Sequence, residues 1–263
     1  MQRKSHTLFA FVLTANLLTA AGTWAEDTQP GKQNLRETPV VKAVRKAKPS
    51  VVTLKVTRRS AYSSREVFGT GVVVDESGIV VTNRHVVAGA EGVKAMLFDG
   101  SEHTAQVLVE DARHDLAILK LPGKMKLTKI RFTEMRVTDL EQGEPVIAIG
   151  HPFGYVNTVS EGIVSALNRE ITMPTGEKLT GLIQVTASIN PGNSGGPLLN
   201  IYGDLIGINV AVRDGAQGIA FALNADTVQA VISQHLGAGN VSASADTTPQ
   251  TGSAALARPV GQR

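Results

Sequence analysis

Short apolar runs separated by turn residues recur along most of the chain. The runs are rich in valine and isoleucine, which favour strands, and turns such as Asp99-Gly100 interrupt them. The first half predicts strands at Val51 to Val56, Val67 to Val74, Ile79 to Val81, Val93 to Phe98, Val107 to Val109 and Leu116 to Leu121. The second half predicts strands at Val146 to Ile149, Val159 to Leu167, Leu182 to Val185, Leu198 to Ile201, Leu205 to Val212 and Ile219 to Leu223. Because no long helical pattern separates the strands, we expect an all-β antiparallel barrel or sandwich in two units, joined by the basic stretch Lys124 to Arg136.

Two segments follow the helical period instead. Val40 to Lys48 places apolar and basic residues on opposite faces and predicts a short amphipathic helix. Its basic face could touch an anionic membrane, although a solvated surface is the commoner meaning of this pattern. Near the other end, Asn224 or Asp226 can cap a helix that runs to Leu236 and stops at Gly237.

The first 25 residues are typical of a secretory signal peptide. Arg3 and Lys4 precede an apolar stretch from Leu8 to Ala21, and Thr23-Trp24-Ala25 offers a cleavage site with small residues. The apolar stretch is short for a membrane span. We therefore predict an exported protein that begins near Glu26, with an uncleaved membrane anchor as the alternative.

The remaining chain divides into three parts by composition. Residues 26–38 are polar and predict a flexible lead-in. Residues 39–236 contain the predicted strands and helices, with one barrel at about 49–121 and the other at about 145–223. Residues 237–263 are rich in Ala, Ser, Thr and Gly and predict a disordered tail.

Charge and cysteine content narrow the classes of function. Of the 26 Lys and Arg residues, two lie in the predicted signal peptide, which leaves 24 against 23 acidic residues. This near-balance gives no reason to expect nucleic-acid binding. The chain has no cysteine, so disulfides and thiolate metal sites are excluded.

The run from Asn190 to Pro197, Asn-Pro-Gly-Asn-Ser-Gly-Gly-Pro, is not explained by core packing. Glycine permits positive φ and proline fixes φ, so the run predicts a rigid, tightly turned loop. In such a loop the backbone amides of Gly192 and Ser194 could form an oxyanion hole, with the Ser194 hydroxyl as nucleophile. The alternative is an ordinary turn, because a serine nucleophile needs a histidine base and a carboxylate that orients the base.

Candidates for both partners lie upstream. His85 stands in Thr-Asn-Arg-His-Val-Val, just past a β-rich run, and Asp115 opens the strand-like run Asp-Leu-Ala-Ile-Leu-Lys-Leu. These two motifs and Gly-Asn-Ser-Gly-Gly-Pro, in this order, resemble the HtrA (Deg) family within the trypsin/chymotrypsin-like serine proteases. The likeness spans roughly Pro39 to Leu236.

The resemblance implies two six-stranded antiparallel β-barrels with catalysis in the cleft between them. In this arrangement Asp115 would orient His85, and His85 would take the proton of Ser194 as Ser194 attacks a peptide carbonyl. The amides of Gly192 and Ser194 would form the oxyanion hole. The resemblance also implies a homotrimer, although residues 26–39 lack the aromatic residues that would support one. Many family members carry a peptide-binding PDZ domain after the protease domain, and we expect none in this chain.

Other titratable residues are weaker candidates. His114 and Asp111 could replace His85 and Asp115, but neither lies in a matching motif, so His114 is interpreted as a loop residue. His151 follows a predicted strand and is interpreted as a turn histidine. The sequence has no His-Glu-x-x-His metal motif and no phosphate-binding glycine loop, so we expect neither a metal nor a cofactor.

The residues around the predicted nucleophile indicate a substrate preference. No acid lies at Ser188 or Ile189, so cleavage after Lys or Arg is not expected. The resemblance implies a small apolar pocket walled by Ile189, Val212 and Ile219, with a loose preference for Val, Ala or Ile at the P1 position. The alternative is that these three side chains fill the barrel.

Three features depart from related sequences. Thr186 replaces an acid that the family usually carries. Asn193 replaces the aspartate with which digestive relatives bind a newly freed amino terminus, so activation by zymogen cleavage is not expected. The loop from Arg58 to Phe68 is short, which predicts that the family's long regulatory loop is reduced.

Two classes of function follow. The first is an exported, most simply periplasmic, serine endopeptidase that cleaves unfolded or exposed protein segments in protein quality control. The second is a non-catalytic or weakly active protein that binds and holds peptides on the same fold. The joint presence of His85, Asp115, Ser194 and Gly192 favours the enzyme, because a holding protein needs no such set.

Overall fold

β-Strands dominate the described part of the chain, which in this computed structural model comprises residues 36–59, 63–123, 125–151, 158–173, 175–212 and 218–237. The first six strands are β1 (Val51–Arg59), β2 (Ser64–Asp75), β3 (Ile79–Asn83), β4 (Gly92–Met96), β5 (Glu102–Asp111) and β6 (Leu116–Lys120). The next six are β7 (Pro145–Gly150), β8 (Thr158–Thr172), β9 (Lys178–Val185), β10 (Pro197–Leu199), β11 (Leu205–Val212) and β12 (Ala220–Asn224). The helices are α1 (Pro39–Ala47), α2 (Arg84–Val87) and α3 (Ala225–Leu236), with 3-10 turns at Lys48–Ser50 and Val137–Asp139. The predicted signal peptide, residues 26–35 of the lead-in and the tail after Gly237 lie outside the described residues.

Each set of six strands closes into an antiparallel barrel. Barrel one has the order β1-β2-β3-β6-β5-β4 and closes through β1 and β4. Barrel two has the order β10-β11-β12-β9-β8-β7 and closes through β10 and β7. The predicted all-β fold of two six-stranded antiparallel barrels with a short C-terminal helix is confirmed.

Many strands are buried on both faces, because the barrels share an apolar layer. In β7, Val146 and Ala148 belong to the core of barrel two, whereas Ile147 and Ile149 join a cluster that also contains Val72 of barrel one. This common cluster takes in the apolar faces of α1 and α3 as well. Burial on both faces explains why the strand sequences are continuous apolar runs and do not alternate with polar residues.

The sequence predicts a short loop from Arg58 to Phe68, but most of this segment forms strand. Strand β1 continues to Arg59 and β2 begins at Ser64, so the two strands stay paired beyond the core and only residues 60–62 lie outside the described chain. Polar side chains support this extension, and Lys55 Nζ lies 3.0 Å from Glu66 Oε1 on the neighbouring strand. Cross-strand pairing of polar residues carries no apolar signal, which explains the error.

Both predicted helices form, each with a side-chain cap. Thr38 Oγ1 accepts a hydrogen bond from the first turn of α1, and Asn224 Oδ1 accepts one from Thr227 N at the start of α3. Asn224, and not Asp226, is therefore the cap, and α3 ends at Leu236, followed as predicted by Gly237 with φ +81°. Among the described residues, no helix has the length and apolar character needed to cross a membrane.

One buried carboxylate ties α1 and the segment between the barrels to barrel two. Asp204, in the turn between β10 and β11, accepts a hydrogen bond from Lys46 Nζ at 2.7 Å and two from Arg131, Nε at 2.7 Å and Nη2 at 2.5 Å. Burial disfavours its ionised form, but the hydrogen bonds and charges of Arg131 and Lys46 outweigh burial and hold the pKa of Asp204 below its ordinary value of 3.8. The carboxylate therefore stabilises the folded chain when it is ionised.

We predict that Asp204→Asn lowers the free energy of unfolding at pH 7 by about 2 kcal/mol, because it weakens hydrogen bonds to two cations. A carboxylate whose pKa is depressed by folding contributes its stability above the unfolded-state value and loses it as pH falls through the folded-state value. In urea unfolding experiments, the difference in free energy of unfolding between wild type and Asp204→Asn should therefore become smaller below about pH 4. Glu134→Gln is the control, since Glu134 meets the same Arg131 at 3.8 Å but is 82% exposed. An unchanged difference at pH 3 would contradict this account.

Candidate active site

His85 lies on α2, a single helical turn that follows directly from β3. A helix this short satisfies few of its own carbonyl groups. Arg58 supplies the missing donors from the end of β1, with Nη2 at 2.7 Å from the His85 carbonyl oxygen and 3.1 Å from that of Val86. No sequence pattern indicates this role of Arg58, because the contact depends on how barrel one closes.

Asp115 occupies the turn between β5 and β6 with φ +52°, which is uncommon for a residue other than glycine and is most tolerated by Asp and Asn. Two bonds to its carbonyl oxygen hold this conformation, from Arg84 N at 2.9 Å and from Asn83 Nδ2 at 3.2 Å. The side chain is almost fully buried. The residues just before His85 therefore also fix the backbone of Asp115.

The imidazole of His85 and the carboxylate of Asp115 are in direct contact. Asp115 Oδ2 lies 2.6 Å from His85 Nδ1, and Oδ1 accepts a bond from the His85 backbone N–H at 2.9 Å. Because a carboxylate oxygen only accepts, the hydrogen of the first bond is on Nδ1. The other ring nitrogen, Nε2, is left as the atom that can accept a proton.

Ser194 lies on a loop that is built from two tight turns. Asn193 N donates to Asn190 O at 2.9 Å, and Gly196 N donates to Asn193 O at 2.9 Å. Gly195, with φ +81°, packs directly against barrel one: a Cβ atom there would lie 2.1 Å from Thr82 Oγ1 and 3.1 Å from the backbone nitrogen of Asn83. The loop thus touches the strand end that leads into His85.

Two amides of this loop are available as donors. Gly192 has φ +104°, and within the described residues neither its N–H nor that of Ser194 bonds another protein group. The carbonyl groups of the same two residues are both bound by Thr70, since its hydroxyl donates to Gly192 O at 2.6 Å and its N–H donates to Ser194 O at 3.0 Å. The free donors and the bound acceptors are what an oxyanion-binding site requires.

The hydroxyl of Ser194 does not bond His85 in this structure. It donates to the carbonyl oxygen of Val210 on β11 at 3.1 Å. Rotation about the Cα–Cβ bond of a serine is fast, so this hydroxyl can leave the Val210 carbonyl for another acceptor within its reach.

His151 is not the turn histidine that the sequence predicts. Only 1% of its surface is exposed, and it directly follows β7, with its backbone nitrogen 3.4 Å from the carbonyl oxygen of Gly192 in the Ser194 loop. Its backbone N–H bonds Thr70 Oγ1 at 3.1 Å, and its Nδ1 lies 3.3 Å from the same oxygen. Histidine is seldom fully buried without a partner, but a single sequence offers no sign of which partner it has.

His114 and Asp111 form a separate pair. His114 Nδ1 lies 3.1 Å from Asp111 Oδ2, and His235 of α3 approaches the same oxygen at 3.8 Å. Burial raises the pKa of Asp111, but the hydrogen bonds from His114 and the two histidines together hold it below its usual value. His114 lies in a turn, as predicted, and this pair has no described bond to His85 or Ser194.

The predicted pocket residues have different surroundings. Ile189 is buried in the core cluster of barrel two, and Ile219 is partly exposed and packs against the cluster shared by both barrels. The backbone of Val212 ends β11, but its side chain lies outside the described residues. The pocket therefore stays a prediction. Thr186, where an acid was expected, bonds the backbone of Ile163 through its Oγ1 at 2.9 Å and supports the hairpin of β8 and β9.

A double barrel with a histidine–carboxylate pair at the junction and a glycine-rich serine loop against it is the architecture of chymotrypsin-like proteins. The sequence profile of the trypsin-like peptidase domain matches residues 69 to 208, just over half of the chain. Among similar proteins are a DegP-like periplasmic serine endoprotease of Pseudomonas fluorescens, 39% identical over 178 residues, and the serine protease Do-like HtrA of Bacillus subtilis, 41% identical over 182 residues. Each of these alignments covers 66% of this chain.

Solved structures give the same relationship. The HtrA-type protease AlgW, in its structure with a tripeptide, matches with a TM-score of 0.67 and 35% identity over 76% of this chain and 64% of that chain. This chain belongs to the trypsin-like peptidase family, and its relatives there are the HtrA-type serine proteases. It covers 36% of the Pseudomonas relative and 40% of the Bacillus relative, so it spans well under half the length of either.

We predict that Gly195→Ala displaces the Ser194 loop, because the new Cβ would meet Thr82 Oγ1 at 2.1 Å and Thr70 O at 2.2 Å. The control is Gly100→Ala, which has a similar φ of +85° but nothing within 4 Å of the new atom. Gly100→Ala should lower the free energy of unfolding by about 1–2 kcal/mol through backbone strain alone. Gly195→Ala should lower it by at least about 2 kcal/mol more, because the new Cβ also clashes with barrel one. Urea unfolding measures both variants, and equal losses would show that the loop does not pack against barrel one as described.

Proposed function

We propose that this chain is a serine endopeptidase that hydrolyses peptide bonds in unfolded or exposed protein segments. The observation that carries the proposal is the bond between His85 Nδ1 and Asp115 Oδ2, formed on the strand end against which the Ser194 loop packs. A histidine held in this way has a defined tautomer and one free nitrogen. A neighbouring serine hydroxyl is then the group that it can activate.

The reaction begins when the Ser194 hydroxyl turns from Val210 O toward Nε2 of His85. His85 removes the proton as Ser194 Oγ attacks the substrate carbonyl, and Asp115 stabilises the imidazolium that results. The carbonyl oxygen becomes negatively charged and accepts hydrogen bonds from the amides of Gly192 and Ser194. His85 then gives its proton to the departing amine, and water hydrolyses the acyl-enzyme by the same steps in reverse.

The bond from Ser194 to Val210 favours one alternative. A chain in which the hydroxyl stays on that carbonyl would bind peptides in the cleft without cleaving them. Catalytic hydrogen bonds are often absent before substrate binds, so the enzyme is the better reading of the same geometry. The alternative is a holding protein on the same fold.

The setting of the activity rests on the amino-terminal sequence and on the relatives. We infer that residues 1–25 are a cleaved signal peptide and that the protein works in the periplasm in protein quality control, in line with the periplasmic relative from Pseudomonas fluorescens. Amino-terminal sequencing of the exported protein tests this, and a chain that retains Met1 would contradict it. The homotrimer remains a prediction from the family resemblance.

We predict that the mature wild-type chain cleaves casein and that Ser194→Ala lowers turnover by about a million-fold, because the nucleophile is lost. The control is Ser165→Ala in barrel two, where the removed hydroxyl is buried and bonds no described group. Sequencing of product termini should place most cuts after Val, Ala or Ile. Cuts after Lys or Arg would contradict the pocket, and binding of casein without cleavage by either chain would favour the holding protein.

We predict that Asp115→Asn lowers kcat by about ten-thousand-fold, because an amide can stabilise neither the required tautomer nor the imidazolium. Asp111→Asn is the matched control, since this neighbouring carboxylate contacts His114 and not His85. It should lower kcat less than about tenfold. Steady-state hydrolysis of a valine-containing peptide substrate measures both, and a larger loss in Asp111→Asn would exchange the roles of the two acids.

A further inference from the structure

Thr70 of barrel one contacts both residues that donate to the proposed oxyanion site. It lies in β2 and is completely buried. Its hydroxyl bonds the carbonyl oxygen of Gly192 at 2.6 Å, and its backbone N–H bonds that of Ser194 at 3.0 Å. One residue from the first barrel therefore holds two carbonyl groups of the second.

These contacts limit the rotation of the donor amides. Each amide is joined through one α-carbon to a carbonyl group that Thr70 binds, so with that carbonyl fixed, only the φ and ψ angles of the same residue set the direction of its N–H. For Gly192 this freedom matters most, because glycine has no side chain to restrict it. If the amide turned over, the carbonyl of Pro191 would face the site in place of the Gly192 N–H, and an acceptor would repel the oxyanion.

The groups around the Thr70 hydroxyl determine which acceptor receives its hydrogen. It has one hydrogen, and Gly192 O can only accept, so that hydrogen is committed to Gly192. The oxygen then accepts from the His151 backbone N–H at 3.1 Å and faces His151 Nδ1 at 3.3 Å. His151 thus directs the hydroxyl toward Gly192. Thr82 Oγ1 donates to the Thr70 carbonyl oxygen at 2.7 Å and fixes the strand itself.

We propose that Thr70 is a positioning residue, which keeps the Gly192 and Ser194 amides turned toward the substrate oxyanion by binding the carbonyl groups on the far side of the same residues. The inference rests on the proposed peptidase function. The Thr70 hydroxyl stabilises the transition state and does not contribute to substrate affinity. His151 orients that hydroxyl, and its backbone N–H also approaches the Gly192 carbonyl oxygen itself at 3.4 Å.

The test compares Thr70→Val, which removes the hydroxyl at nearly constant volume, with Thr70→Ser, which keeps it. Thr53→Val is the matched control, because Thr53 lies opposite Thr70 on β1 and its buried hydroxyl bonds no described group. Loss of a whole oxyanion donor lowers kcat by about 10²–10³-fold. We therefore expect Thr70→Val to lower kcat by about 10–100-fold and to leave KM within about twofold of the wild-type value. Thr70→Ser should stay within about threefold of wild type, and Thr53→Val should be unchanged.

A second readout separates positioning from general damage to the fold. A peptidyl trifluoromethyl ketone adds to the serine and leaves a hemiketal oxyanion in the same site. In ¹⁹F NMR titrations we expect the pKa of that hemiketal to rise in Thr70→Val, in step with the loss of kcat, and to stay at the wild-type value in Thr70→Ser and Thr53→Val.

The outcomes distinguish the two proposals. Equal kcat in wild type and Thr70→Val overturns the role of Thr70 alone. Equal losses in Thr70→Val and Thr70→Ser, or a loss with no change in the hemiketal pKa, also overturn it, because the hydroxyl would then have only a structural role. A wild-type chain that neither cleaves the peptide nor forms the hemiketal overturns the proposed function, and this inference with it.

Discussion

The contact between the Ser194 loop and barrel one is the constraint on which the rest of the site depends. Because Gly195 has no side chain, its backbone lies closer to Thr70 and Thr82 than that of any other residue could. Thr70 in turn binds the carbonyl groups of Gly192 and Ser194. His85 follows Thr82 by three residues, so the same contact sets where the serine loop lies relative to the histidine. Positioning of this kind supplies much of the rate enhancement that an enzyme achieves.

The two barrels serve this contact in different ways. Barrel one provides the His85–Asp115 pair, in which the positive φ of Asp115 is held by bonds from Asn83 and Arg84. Barrel two provides a loop with two free amides. The apolar cluster that includes Val72 and Ile149 joins the barrels over a wide area, and its burial stabilises their mutual orientation without help from a disulfide. A rigid scaffold under a loop site is a common arrangement in enzymes.

Local patterns allowed the twelve strands, the C-terminal helix with its cap at Asn224 or Asp226, and the motifs around His85, Asp115 and Ser194 to be predicted from the sequence. They failed where a residue acts through a contact that only the closed barrels create. His151 was interpreted as a turn residue because nothing near it in the sequence indicates burial against Thr70. The extension of β1 and β2 was missed because their outer halves pair through polar residues, and the contact from Ser194 to Val210 joins residues whose proximity no sequence motif marks.

The central claim is that His85, Asp115 and Ser194 act as one unit, and its most direct test is covalent labelling with a peptidyl diphenyl phosphonate that carries valine at P1. Such a reagent reacts only with a serine that a base has activated. Peptide mapping by mass spectrometry should find a single adduct, on Ser194, formed at least about a hundredfold more slowly in His85→Ala. An adduct on another serine, or equal rates in wild type and His85→Ala, would contradict the account.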